Sequence, residues 1–358
     1  MMHLRDNTRY GLVIPSSMGV RLIPTDRQPV HMAGAFELTV TSAESNVASI
    51  PAALGVPTHV LSKFVAGSPI ARRIQQDLRS RGMSYEGPEV APDDAWGVRH
   101  QFNIADSGFG GRGPRVYNDR AGEVGRTLSS ADFDLERLFG SDGVQVVHLS
   151  GLIAALSPST SRMCVDIAQA ARRHGTRVAF DLNYRASFWK GREEELRAAF
   201  HAIASEADIL IGNEEDFQLA LGIAGPEAGG DAVAENLDRF HEMIGRVRDA
   251  YPQAELFATT LREVVSAHRH LWGAVVSAGG QLYSVAPREI EVLDRIGGGD
   301  GFVGGLLYGV LRGWSAERAM QFGWATGALA ATHLVDYALP ADEEQVWSIW
   351  KGNARVVR

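Results

Sequence analysis

The stretch DRIGGGDGFVGG, residues 294–305, sets three consecutive glycines, Gly297, Gly298 and Gly299, directly before a carboxylate, Asp300. Glycines in a row let backbone N–H groups gather around an anion, as phosphate-binding loops do. Such loops supply a lysine; here an aspartate stands instead. After Asp300, apolar residues fall at 302, 303, 306, 307, 310 and 311, the period of a helix with one buried face. The loop therefore leads into a helix N-terminus, where the dipole also favours negative charge. Asp300 then has two readings. It is a helix cap, worth ~1 kcal/mol, or a general base that takes a hydroxyl proton while amides and Mg²⁺ steady a transferring phosphate. In the second reading the glycines serve the phosphate and the aspartate serves the nucleophile. A rival pattern overlaps both: Gly299, Gly301 and Gly304 form G-x-G-x-x-G, which alone points to a NAD(P)-dependent oxidoreductase. It lies far from the N-terminus and lacks the acidic residue expected after a following strand.

Such residues need a scaffold that brings loops to one edge. From about residue 144, short β-branched runs alternate with helical patterns. VQVVHL, TRVAFDL, DILIG, ELFATTL and GAVVSA read as strands, and AGG at 278–280 as a hairpin turn. Helices are expected over 157–175, with Ser157 as cap and Gly175 as stop, over 193–205, just after Asn213, and near 232–248. This alternation implies a mostly parallel sheet covered by helices on both faces. Ligands in such sheets sit at the carboxyl ends of the strands. That rule singles out residues 181–185, 213–216, 260–263 and the glycine loop. The first 120 or so residues differ: RYGLVI, GVRLI, FELTV, WGVRHQFNI and PRVYN read as short strands, with a helical stretch near 43–54. They predict a small β-rich lid, with segments within 9–42 and 95–120, on a single domain spanning 1–358. SGFGGRGPR at 107–115 links lid strands.

Composition narrows the function classes. The 358 residues are 45% hydrophobic, enough for a large core, and 35 basic against 43 acidic residues leave a net charge of −8. That charge argues against nucleic acid or an anionic membrane surface as partner. A single cysteine, Cys164, excludes a disulfide framework or a cysteine metal site within one chain and suits a reducing, cytoplasmic setting. Within its amphipathic helix Cys164 reads as a small buried hydrophobe. The opening residues carry no apolar signal core, and no apolar run reaches the ~20 residues of a membrane span. His148 and His174 show no ligand spacing and read as structural.

DRIGGGDGFVGGLLYG resembles the C-terminal signature of the ribokinase-like (PfkB) sugar kinases, and its opening is similar to that of 2-keto-3-deoxygluconate kinases. TSAESNVASIPAALG at 41–55, FDLNYRASFW at 180–189, GNEEDF at 212–217 and TTLRE at 259–263 follow in the family's order. The resemblance implies an α/β class fold, a three-layer α/β/α sandwich with a small β-sheet lid. It implies ATP and Mg²⁺, with the γ-phosphate passed to a sugar hydroxyl, Asp300 as base and Gly297–Gly299 as anion hole. Arg185 matches an arginine that holds the carboxylate of an acidic keto-sugar, a role suited to a planar guanidinium. Arg120 resembles the arginine of a lid segment; the alternative for it is a solvated charge. Asn213, Thr260 and Arg262 fall where the nucleotide binds, and Asp216 stands in place of a family glutamate as the metal residue, through water. Thr41 and Ser42 replace two family glycines against the sugar, while Asn46 keeps the family asparagine. Thr41 with Glu44 also reads as a capping box. The implied activity is phosphorylation of 2-keto-3-deoxygluconate on its terminal hydroxyl, by a homo-oligomer, with a dimer among the candidates. Its rivals are a kinase of a neutral ketose or nucleoside and a non-catalytic sugar-binding sensor.

Overall fold

The computed structural model describes residues 2–92, 99–225 and 237–353. In chain order come β1 (Tyr10–Pro15), β2 (Gly19–Pro24), β3 (Phe36–Thr41), α1 (Ala43–Ala53), β4 (Thr58–Leu61), β5 (Phe64–Val65), α2 (Pro69–Ser80), β6 (Met83–Glu86) and β7 (Glu89–Val90). Next are β8 (Gln101–Asp106), β9 (Arg115–Asp119), β10 (Val144–Ser150), α3 (Gly151–Ala155), α4 (Pro158–Arg173), β11 (Arg177–Asp181), α5 (Ala186–Trp189) and α6 (Glu193–Ala204). β12 (Ile209–Ile211), α7 (Glu214–Leu221), α8 (Leu237–Ala250), β13 (Leu256–Ser266), β14 (Arg269–Ala278), β15 (Gln281–Glu291), α9 (Gly298–Leu311), α10 (Ala316–Ala330) and α11 (Glu343–Trp350) complete it. The expected strand at 96–104 and helix at 232–248 fall partly outside the described residues, at 96–98 and 232–236.

The main sheet has nine strands in the order β15-β14-β13-β12-β11-β10-β1-β4-β6. Its seven strands from β13 to β6 are parallel, and β14 and β15 add an antiparallel arm. Side chains alternate across it, so β10 sends Val147 and Leu149 to one face and Val146 to the other. One face packs under α3, α4, α6, α7 and α8, around Phe180, Phe200 and Phe217. The other packs under α1, α2, α9 and α10, around Ile50, Phe302 and Phe322. Each such side chain contributes about 1.5–3 kcal/mol on full burial. Ser157 accepts the N–H of Thr160 as the cap of α4, with Pro158 in its first turn, as its sequence requires.

A separate four-stranded sheet, in the order β3-β2-β8-β9, is built from the expected N-terminal segments. β1 is the exception. It reads as a lid strand but lies inside the main sheet, since all six of its residues are buried and it pairs in parallel with β10 and β4. The unit β4–α2–β6 carries no sequence expectation, although Ser68 caps α2 and Pro69 opens it. β13 runs past the expected strand end at Leu261 to Ser266, because β14 pairs with it along its length. From β1 the chain runs outward to β4 and β6, and from β10 it runs the other way to β11, β12 and β13. The topological switch point therefore lies between β1 and β10, where open α/β sheets bind ligands.

Candidate active site

Gly297 caps α9 in the left-handed region, φ +86°, and a Cβ there would run into the carbonyl of Asp336. Glycine is thus required at this one point of the loop. Gly298, Gly299 and Asp300 form the first turn of α9, whose N–H groups have no acceptor within the helix. The N–H of Gly298 leans on the Arg295 carbonyl at 3.4 Å, whereas a Cβ on Gly299 would meet no atom within 4 Å, so open space lies beside Gly299. Amides, dipole and space are the features that an anion cradle needs, the role expected of this loop. The other glycines of α9 have a different cause. Gly304 sits against the carbonyl of Val47 in α1, and Gly301 against that of Thr326 in α10. They let three helices approach; they do not pack against the sheet, and the G-x-G-x-x-G spacing needs no dinucleotide to explain it.

Asp300 faces this cradle, half-buried. Nδ2 of Asn46, in α1, donates to Oδ2 of Asp300 at 2.9 Å. Burial pushes the Asp300 carboxyl up to about 7; the Asn46 bond and the charge of Arg185 pull against this, while Asp336 and Glu44 add to it. A carboxyl that ionises near neutral pH suits a general base. Asp181, at the carboxyl end of β11, is also raised well above the ordinary range, by burial first and then by the charges of Asp216 and Asp300. Carboxylates from β11, α7 and α9 therefore face one another at this edge.

The proposed sugar contacts occupy more varied positions. Arg185 is exposed at the start of α5 and donates to the carbonyl of Tyr184 at 2.7 Å. Its positive charge reaches both Asp181 and Asp300. Arg120 follows β9 and lies over the ring of Phe188, at 5.5 Å, so the small sheet and α5 meet there. Its guanidinium is not simply solvated: it donates 3.2 Å bonds to both oxygens of Glu123, a buried carboxylate that also accepts from Ser17. Thr41 and Ser42 are buried, and their hydroxyls turn inward. Thr41 donates to Asp336 at 2.6 Å, and Ser42, not Thr41, caps α1 by accepting the N–H of Ser45. The expected Thr41–Glu44 capping box does not form, because Thr41 is still extended as the last residue of β3 and the cap falls one residue later, on Ser42.

Of the residues expected at a nucleotide, Asn213 caps α7, accepting the N–H of Asp216 at 2.8 Å. Asp216 is held rather than presented. Its oxygens accept the N–H groups of Asn213, at 2.9 Å, and Tyr184, at 3.0 Å, which is the geometry of a capping box. These bonds fix the position of the Asp216 carboxylate at the start of α7. Among the described residues, no group of three or more His, Cys, Asp or Glu side chains could hold a metal ion. The side chain of Glu214 lies outside the described ones. Thr260 stands in β13 two residues beyond Ala258, the last partner of β12, and Arg262 lies further out, exposed and opposite Trp272.

Three buried groups carry no sequence expectation of a role here. Glu44 accepts from Ser16 and Ser150, whose strands β1 and β10 flank the switch point. Asp336 and Arg21 lie beside the glycine loop and are paired to each other. The GVR of β2 and the VDY at 335–337 offer no spacing that marks them, because their partners are remote in the chain. A cavity of about 590 Å³ at the other end of β13, lined by Leu256, Tyr283 and Trp314, holds none of these groups. No described helix is long and apolar enough to cross a membrane.

The chain is similar to several known proteins. It is 29% identical to a 2-dehydro-3-deoxygalactonokinase of Haloferax volcanii, over 95% of this chain and 96% of the relative. It is 31% identical to a 5-dehydro-2-deoxygluconokinase of Clostridium tetani over 56% of this chain and 53% of that protein. Among solved structures, the 2-dehydro-3-deoxygluconokinase of Thermotoga maritima matches with a TM-score of 0.84 at 27% identity, over 98% of this chain and all of that one. The family model for pfkB carbohydrate kinases matches residues 118–250 and 269–341, more than half of the chain. With its ribokinase-like three-layer fold, the chain belongs to the pfkB family of carbohydrate kinases.

Proposed function

We propose that this kinase transfers the γ-phosphate of ATP to the terminal hydroxyl of an acidic keto-sugar, with 2-keto-3-deoxygluconate as first choice. The observation that carries the substrate charge is Arg185. It stands exposed at the carboxyl edge of the sheet, within electrostatic reach of Asp300, and no acidic partner engages it among the described residues. An acid beside Asp300 would find its counter-ion there. Arg120, already shared with Glu123, would supply hydrogen bonds more than charge. The relatives named above act, by name, on keto-deoxy sugar acids, which agrees with this reading.

ATP, when bound, supplies the phosphoryl group, and Mg²⁺ shields its charge. The cradle fits such a group: the first-turn amides of α9 and the open space before Gly299 accept phosphate oxygens. Mg²⁺ commonly rests on phosphates and waters with one or two carboxylates, and Asp216 would hold it here through water. Asp300, ionised and steered by Asn46, takes the hydroxyl proton as the oxygen attacks. The small sheet, tied to α5 through Arg120 and Phe188, would act as the lid that excludes water. Asn213, Thr260 and Arg262 are assigned to the nucleotide. A cytoplasmic location accords with the need for ATP.

The test is ADP release across a panel of sugar acids, neutral ketoses and nucleosides. Turnover with keto-deoxy sugar acids, at least tenfold above the others in kcat/KM, is expected. A preference for a neutral ketose or a nucleoside would overturn the acid assignment and leave the kinase intact.

A further inference from the structure

Arg21 is the largest fully buried polar side chain in the small sheet, and it spends its charge on the main one. It leaves β2 with 1% of its side chain exposed and pairs with Asp294 at 2.5 Å and with Asp336. These two aspartates flank the phosphate loop. Asp294 opens it, accepting the N–H of Ile296 at 3.0 Å. Asp336 closes against it, its carbonyl covering Gly297 and its second oxygen taking the Thr41 hydroxyl. The loop between β2 and β3 adds a second grip, as Arg27 donates to the carbonyl of Leu293 at 2.5 Å. Burial raises the Asp294 carboxyl, with Arg21 opposing, so ionisation there depends on the guanidinium.

The charges facing this point are few. Arg21 is the cation that pairs with Asp294 and Asp336; Arg81 also lies near Asp336, stacked on Tyr337 at 3.4 Å and paired with Asp77 at 2.5 Å. Asp300 and Glu44 bring further negative charge from α9 and α1. Without Arg21, two buried carboxylates would border a cradle that must accept a polyanion. One planar guanidinium can bridge both with fixed geometry; a lysine cannot.

We propose that Arg21 is a positioning residue of the phosphate loop. It holds Asp294 and Asp336 on either side of Gly297–Asp300 and cancels their charge, so that the loop amides are offered to phosphate and Asp300 to the hydroxyl. This rests on the kinase reading above. It makes the small sheet a fixed part of the phosphate site, not only a cover for the sugar.

The experiment compares wild type, Arg21→Lys and Arg21→Gln in two readouts: ATP affinity by calorimetry without sugar, and kcat per folded site by ADP release. Arg21→Gln is expected to bind ATP about tenfold or more weakly and Arg21→Lys to fall between, the order set by charge and geometry. In an Arg21→Ala variant, millimolar guanidinium restores part of kcat, and equal sodium chloride does not. A purely structural arginine would lower the melting temperature and leave ATP affinity and kcat per folded site alone; that result overturns the proposal. Should the single variants not fold, Arg21→Gln with Asp336→Asn removes one buried cation and one buried anion together. That pair keeps ATP affinity within about threefold of wild type and loses at least about tenfold in kcat, because nothing then ties the turn to the loop. Wild-type kcat in the pair overturns the positioning role. If wild type binds ATP yet turns over no sugar, the substrate reading fails, while the ATP comparison still decides the role of Arg21.

Discussion

The side-chain amide of Asn46 donates to a carboxylate oxygen of Asp300 across 2.9 Å, joining the first turn of α1 to the first turn of α9. The bond favours the ionised carboxylate. Burial favours the protonated one, and the balance lies at about 7. The residue that the sequence offers as a sugar ligand is thus bonded to the carboxylate proposed as the base.

Asp300→Asn separates the two readings of the aspartate. Asparagine caps helices about as well as aspartate, so a structural role predicts little change. As the base, the carboxylate has no substitute, and kcat falls by ~10²–10⁴. ATP binding persists. A folded variant that binds ATP and turns over normally would end the assignment.

Asp300 also sets the pH response. Its folded value lies above the ordinary aspartate value of about 3.9, so ionising it costs folded-state stability. The cost is absent below about pH 4, grows as pH rises through about 7, and is full above it. Asp300→Asn lacks this cost, so its melting temperature should exceed wild type at pH 8 by more than at pH 4. In activity the base must be ionised, so kcat/KM climbs with pH to a plateau above about 7. Asn46→Leu removes the bond that favours ionisation and moves the climb to higher pH. Glu44→Gln removes a nearby negative charge and moves it lower. Shifts of the same sign in both variants would refute this electrostatic account.

How legible these features were depended on the distance over which their cause acts. The α4 cap, the β14–β15 turn and the glycine loop are set by neighbours in the chain, and the sequence shows them at their places. β1 was misplaced because the same short apolar run serves an edge or a centre; only its pairing with β10 and β4 decides. The strand holding Thr260 is expected to end at Leu261 and runs on to Ser266, because nothing local shows that β14 would carry β13 onward. At the site, Gly297 and Asp300 stood out by type and spacing. Arg21 and Asp336 did not, and Glu44 did so only as a helix-cap partner, since each takes its contacts from other elements. Asp216 stands out by its motif, and the structure adds that its oxygens also accept two backbone N–H groups.

Arg185→Ala tests the charge of the substrate. Loss of a charge-assisted hydrogen bond weakens sugar-acid binding by ~1.5–3 kcal/mol, read as a rise in KM for the acid. ATP affinity stays nearly constant, because the guanidinium lies on the α5 side of the cleft. A neutral sugar, where it is turned over at all, should lose little. Equal losses for acid and neutral substrates would assign Arg185 to the fold or to the nucleotide.

The two outer glycines of the loop should fail in different ways. At Gly297 the backbone has φ +86° and a Cβ would strike the carbonyl of Asp336, so Gly297→Ala must move the turn that Arg21 and Thr41 hold. A left-handed residue with a clash costs roughly 1–3 kcal/mol, and a lower melting temperature is expected with activity lost alongside it. At Gly299 the backbone is helical and nothing lies within 4 Å of a Cβ, so Gly299→Ala leaves the fold untouched and alanine even favours the helix. Yet that methyl group would stand in the space assigned to phosphate. The variant should melt at or above the wild-type temperature and bind ATP at least about tenfold more weakly, since amides that a methyl group covers cannot reach the anion. A Gly299→Ala enzyme with full ATP affinity would move the phosphate away from the start of α9, and the anion cradle would have to be sought elsewhere along the edge.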